Sequence, residues 1–255
     1  MPRETLNRDQ IVQAAIELLD TEGVDGLSMR RLGRHLGSAA TAMYWHVGSK
    51  DKLIALAGDQ VWGEVGLPDP DALGWREAAT AFAHEWYAML ARHQWLMPAS
   101  GTHLIYGPET ARRQDHCYRV FEAAGFTGEE LDGAVTTLLT FVTGTALEDA
   151  AAATLRARIR REGGDEEQGV KEVVEWANGI AREFPRLRAR IEAGTQARVA
   201  ETPGSRGADA QTASEPDATP PTAPSTAKIA FGVEIILDGL QARLGTRTGG
   251  DAPRR

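Results

Sequence analysis

Between Leu27 and Lys52 the chain reads LSMRRLGRHLGSAATAMYWHVGSKDK, and its punctuation leaves room only for short helices. Ser28 suits an N-cap; after it Met29, Leu32 and Leu36 share one helical face and Arg30, Arg31 and Arg34 the other. Gly37 makes a turn, Ser38 is placed to cap a very short helix from Ala39 to about His46, and Ser49 opens the next. Two short helices about a tight glycine turn are the layout of a helix-turn-helix, whose second helix lies in the DNA major groove.

Charge supports that reading. Residues 28–52 carry Arg30, Arg31, Arg34, Lys50 and Lys52 against Asp51 alone, a net +4, and removing this from the chain's −8 leaves −12 elsewhere. A local basic patch on an acidic chain fits phosphate contact at one place and argues against a protein that coats DNA throughout. The single Cys117 excludes an internal disulfide and fits a reducing compartment. No apolar run approaches the roughly 18–20 residues of a membrane span, and no signal peptide opens the chain, so a cytoplasmic location with no membrane partner is expected.

The remainder reads as helix, giving an all-α fold. Asn7 and Gln10 resemble a capping box ahead of Ile11, Ala14, Ala15, Leu18 and Leu19, an amphipathic stripe that stops near Gly23. The helix opened by Ser49 carries Leu53, Ile54, Ala57 and Val61 to about Val65, and glycines and prolines mark a boundary near 66–71. Leu73–Trp95, Glu109–Ala124 and Glu129 to about Arg160 each read as one helical segment. Glu167–Ala193 is helix-prone but divided by Gly169, Gly179 and Pro185. From 195 to 226 Pro, Ala, Thr, Ser and Gly replace residues that can be buried, the composition of a disordered linker, before Lys228–Leu244 restores an apolar helix. The expected organisation is a helix-turn-helix domain over 1–66, an effector-binding and dimerisation domain over 71–245 with the 195–226 insertion, and a disordered tail over 246–255.

Small side chains at Ser38, Ala39, Ala40 and Thr41 would let a helix approach the groove floor, where Thr41 can meet a base edge or a thymine methyl. One face of the Tyr44-Trp45-His46 trio is expected in the small domain's core while its polar atoms reach phosphates. Lys50, at a helix N-terminus, adds its charge to the helix dipole as a phosphate clamp.

IVQAAIELLDTEGVDGLSMRRLGRHLG and TAMYWHVGSKDKLIALAGD resemble the DNA-binding half of the tetracycline-repressor (TetR) family. The resemblance implies DNA contacts at Arg30, Ser38, Ala39, Thr41, Tyr44, Trp45, His46 and Lys50. Lys50, Tyr44, His46 and Arg30 would take phosphates, and Ser38, Ala39 and Thr41 bases. It extends to LTFVTGTALEDAAAA (139–153) and IAFGVEIILDGLQARL (229–244), similar to the paired helices of that repressor's effector domain, which form a four-helix-bundle dimer interface. A homodimer on a palindromic double-stranded operator, released by a small-molecule effector, is therefore expected.

In the tetracycline repressor, an acidic pair matching Glu148-Asp149 helps hold a drug-chelated magnesium. This chain departs from that pattern: Ala99 stands at the metal-binding histidine's place, Phe82 and Cys117 replace polar ligand contacts, and the turn reads Gly101-Thr102-His103-Leu104. The expected effector site is thus Trp86, Thr102, His103, Cys117, Phe141 and Glu148, a more apolar pocket for a flat ligand, with no cofactor and no resident metal. A magnesium-chelated effector would use Glu148, Asp149 and His103. The same three residues define the competing reading, a metal or acid-base enzyme on a helical bundle, against which stands the absence of any Glu-x-x-His pair, nucleophile triad or glycine-rich phosphate loop.

Overall fold

Asn7 and Gln10 cap each other: the Asn7 side chain accepts from the Gln10 N–H at 2.8 Å, and the Gln10 side chain from the Asn7 N–H at 3.0 Å. This box starts α1 (Arg8–Gly26), which kinks at Gly23, near the expected stop. The computed structural model describes residues 6–201 and 226–249, and all regular elements among them are helices.

Ser28 and Ser49 cap α2 (Met29–His35) and α4 (Lys50–Trp62), accepting from the N–H of Arg31 at 3.2 Å and of Lys52 at 3.0 Å. The helix between them, α3 (Ala40–Val47), starts differently. Ala39 occupies its N-cap without a side-chain bond, because the Ser38 N–H is drawn back to the Gly33 carbonyl at 2.8 Å and Ser38 stays in the turn. Gly37 makes that turn at φ 60, where a side chain would be strained. Gly33 permits it, since a Cβ there would lie 2.7 Å from the Ser38 carbonyl oxygen.

The expected single segment over 73–95 is mainly α6 (Trp75–Arg92), with Leu73 closing a short α5 (Pro70–Leu73) before it and α7 (Leu96–Ser100) starting just after it. Gly74 separates the first two, and His93 leaves helical geometry where its ring reaches Asp20 and Glu64. α6 and α7 both bury apolar side chains in one core, which is why the rhythm runs past the break at His93. α8 (Pro108–Ala123), α9 (Gly128–Arg161) and α12 (Thr226–Gly249) follow the expected spans closely.

One compact unit comprises α1 to α8, α9 as far as Ala157, and α12. Its apolar packing is continuous from Ile11 on α1 through Leu53, Phe82 and Phe121 to Leu240 on α12. Glu130–Arg243 (3.6 Å) and Glu148–Lys228 (3.3 Å) join α9 and α12 with the helices running in opposite directions. The end of α9, α10 (Glu166–Ala181) and α11 (Pro185–Glu201) form the other unit. Here Gly169 and Gly179 do not divide the helix as expected; Ile159 fills the space beside Gly169, and the break falls just before Pro185. The expected linker begins helically, as α11 continues to Glu201, while 202–225 and the tail from 250 lie outside the described residues.

Candidate nucleic-acid interface and effector core

α3 is divided cleanly between core and surface. Met43 and Val47, four residues apart on one face, are buried, whereas Tyr44 and Trp45 are 50% and 84% exposed. The expected burial of one face of the aromatic trio is therefore wrong for Trp45: the helix has room for one inward stripe in so small a bundle, and Met43 and Val47 occupy it. Trp45 instead meets the His46 ring edge-on, centroids 5.0 Å apart. A tryptophan this exposed adds little to packing. Arg30, Ala39 and Thr41 are also exposed, and Ser38, His46 and Lys50 half-buried. Arg31 pairs with Glu22 and so belongs to the α1–α2 contact. The Lys50 ammonium donates to the Val24 carbonyl at 3.0 Å, clamping α4 to the end of α1.

α4 joins the helix-turn-helix to the helices behind it. Its Asp59 carboxylate accepts from the N–H and hydroxyl of Thr110 on α8, both at 2.9 Å. Below it, His93 Nδ1 and Trp95 Nε1 both donate to Asp20 Oδ1 of α1 at 2.8 Å, and His93 Nε2 lies 3.2 Å from Glu64. Burial by itself lowers the His93 pKa, but the hydrogen bonds and charges of Asp20 and Glu64 outweigh it and hold the value above 6.5.

Deeper in the core, the Arg113 guanidinium packs against two indoles that meet edge-on, 4.2 Å from the Trp62 ring of α4 and 4.3 Å from the Trp86 ring of α6. Trp86 meets Trp62 and Phe82 edge-on, and Phe82 lies against His116. Arg113 is 8% exposed, and burial pulls its pKa down to about 10, which leaves it charged at neutral pH. Its neighbour Cys117 is no counter-charge, since burial pushes that thiol up to about 12. Two desolvated cation–π contacts are worth on the order of 2 kcal/mol each, against several for stripping water from a cation. Arg113 Nε and Nη1, Trp86 Nε1 and His116 Nε2 are all buried, and among the described residues none of them has a hydrogen-bond partner.

The residues expected around an effector are distributed among different partners. Trp86 and Cys117 are buried in this core, Phe141 is half-buried with its ring against Gly232, and Thr102 is exposed and bonded to His103 Nδ1 at 2.9 Å. The other His103 nitrogen faces Asp51 at 3.3 Å, Glu148 is exposed and paired with Lys228, and Asp149 accepts from the Tyr87 hydroxyl at 2.5 Å. These residues do not fit a chelated magnesium: the three acid and imidazole groups face three different partners, and Ala99 offers no donor. Among the described residues no group of three or more His, Cys, Asp or Glu side chains could hold a metal ion. The enzyme reading loses its site for the same reason. Sequence reasoning missed Arg113, Trp62 and His93; the local signal is an arginine on the α8 face it shares with His116, Cys117 and Val120.

An exposed basic helix-turn-helix joined through α4 to an all-helical core defines a DNA-binding transcriptional regulator. Residues 11–57 match the model of bacterial regulatory proteins of the TetR family, and residues 67–202 that of the tetracycline repressor-like C-terminal domain. The chain belongs to the TetR family. It is 43% identical over 121 residues to an HTH-type transcriptional regulator of Saccharopolyspora erythraea, covering 48% of this chain and 51% of that one. It is 27% identical over 253 residues to the HTH-type transcriptional repressor DrrR1 of Streptomyces coeruleorubidus, covering 99% of this chain and 83% of DrrR1. Among solved structures it resembles ActR of Streptomyces coelicolor in complex with actinorhodin, with 26% identity, a TM-score of 0.64, and coverage of 94% of this chain and 97% of ActR.

Proposed function

We propose that this protein is a homodimeric repressor that binds a palindromic operator and leaves it when a small molecule enters the domain C-terminal to about residue 71. Residues 1–66 hold the DNA-reading part in this reading, and 71–245 the effector and dimer part. The observation that carries it is α3, which turns Tyr44 and Trp45 outward beside Arg30, Ala39 and Thr41 while Met43 and Val47 anchor it. Arg30, Tyr44, Trp45, His46 and Lys50 take phosphates, and Ser38, Ala39 and Thr41 face bases.

The dimer brings two copies of α3 about 34 Å apart, one helical turn of DNA. Support for its interface comes from α9 and α12, which leave Leu147, Phe231 and Ile235 exposed and form an open groove at Thr136, Thr140, Phe141 and Ile236. The actinorhodin complex of ActR supports a small molecule as the effector. A typical coupling of about 1–3 kcal/mol changes operator affinity about 5–150-fold. The protein works in the cytoplasm, where its DNA is, and no described helix is long and apolar enough to cross a membrane.

Fluorescence anisotropy on the intergenic DNA beside the protein's own gene, across a salt series, tests this. Two protomers per site and a steep salt slope are expected, with Tyr44→Ala plus Lys50→Ala abolishing specific binding. Unchanged affinity in that double variant would sink the interface.

A further inference from the structure

We infer that Arg113 is the effector-recognition residue of this protein, and that the effector is a planar aromatic acid whose ionised oxygen binds the edge of the Arg113 guanidinium. The inference rests on the ligand-released repressor described above and adds the chemical class of the ligand and the residues that read it.

Arg113 is charged and buried against Trp62 and Trp86, whose rings stand at 79° to each other with centroids 5.7 Å apart, and its N–H groups, all in the guanidinium plane, are what an acceptor would meet. Among the described residues, two of its three nitrogens, Nε and Nη1, have no acceptor, and no carboxylate pairs with the group. A cation retained in a core without a counter-ion destabilises the free protein unless something outside the chain completes it. Native cores rarely leave such groups unmet, and several orphaned donors in one neighbourhood point to a missing ligand. The indole N–H of Trp86 and Nε2 of His116 are two more, on side chains linked through Phe82. The flat apolar rings of Trp62, Phe82 and Trp86, one fixed positive charge and two neutral hydrogen-bonding atoms suit an aromatic ring system bearing a carboxylate or an ionised phenol.

The position also supplies a route to DNA. Trp62 is the last residue of α4, and Lys50 is the first. An anion that draws Arg113 away from the Trp62 face changes what holds the inner end of the helix whose outer end abuts α3.

The test uses purified full-length protein with 1-naphthoate and its uncharged counterpart, 1-naphthamide. Tryptophan fluorescence reports binding, and operator anisotropy is measured on the same samples. The acid is expected to bind at least tenfold more tightly than the amide and to release operator. Arg113→Met should remove that preference and leave the thermal midpoint of the free protein unchanged or raised; Arg113→Lys should keep part of the preference. A purely structural arginine would instead lower the midpoint on replacement and leave the acid and amide equal. Equal binding of the two by the wild-type protein, no binding of the acid, or undiminished acid preference in Arg113→Met overturns the assignment, and the first two comparisons need no variant to fold. Absence of operator binding before any naphthoate is added would instead bring down the repressor reading.

Discussion

Asp59 of α4 caps α8 from outside that helix, accepting from both the N–H and the hydroxyl of Thr110 at 2.9 Å. The N-cap residue of α8 is Gly107, which has no side chain to do so, and a Cβ at Gly107 would collide with the Asp59 carboxylate. The carboxylate therefore satisfies orphaned donors of the first turn and sits at the positive end of the helix dipole. Because α8 also carries Arg113, this bond ties the connector helix to the element that holds the buried cation. Asp59→Ala should leave the Thr110 N–H and hydroxyl unmet, costing about 1–3 kcal/mol. Thermal denaturation should show a midpoint lower by about 2–4 °C for each kcal/mol lost; an unchanged midpoint would refute the capping role.

Gly33→Ala should disable operator binding by displacing the turn. The added Cβ meets the Ser38 carbonyl oxygen at 2.7 Å and the Ala40 nitrogen at 3.2 Å, which are backbone atoms that cannot swing aside. Relief requires α3 to move from α2, so anisotropy should show at least a tenfold loss of operator affinity alongside a lower midpoint. Wild-type affinity in this variant would mean that α3 is not the reading helix.

Trp45→Ala separates contact from stability. With 84% of its surface exposed, the side chain contributes little to folding, so the midpoint should stay within about 1 °C of wild type while operator affinity falls about tenfold. Arg30→Ala should lower affinity for all sequences and reduce the salt slope by about one. Lys50→Ala differs from both: its bond to the Val24 carbonyl predicts a stability loss of about 1 kcal/mol as well. Chemical denaturation beside anisotropy distinguishes the three.

The His93 imidazole makes stability fall as pH rises. Its native pKa is above the ordinary 6.5, so the protonated ring favours the folded state. That contribution is complete below pH 6.5 and is lost as pH climbs through the raised native value. The midpoint difference between wild type and His93→Gln should therefore shrink from pH 6 to about pH 8. A difference that grows over this range would show that Asp20 and Glu64 do not charge the ring.

The helix starts were legible because their chemistry is local. Asn7 with Gln10, Ser28 with Arg31, and Ser49 with Lys52 act across three residues, so spacing alone finds them. Ser38 misled for the opposite reason: its N–H is claimed by Gly33 on the preceding helix, and the cap passes to Ala39. Likewise Gly169 and Gly179 looked like breaks, although the first has its missing side chain replaced by Ile159.

From sequence alone came the all-helical class, the helix-turn-helix, its basic patch and the family, since each depends on residue order over short windows. Only tertiary structure decided that Trp45 faces solvent, that His93 breaks a helix to reach Asp20 73 positions away, and that Arg113 packs against indoles from two other helices. Periodicity tells which residues share a face but not which faces meet. Burial, orphaned donors and shifted proton affinities arise only where elements distant in the chain are brought together.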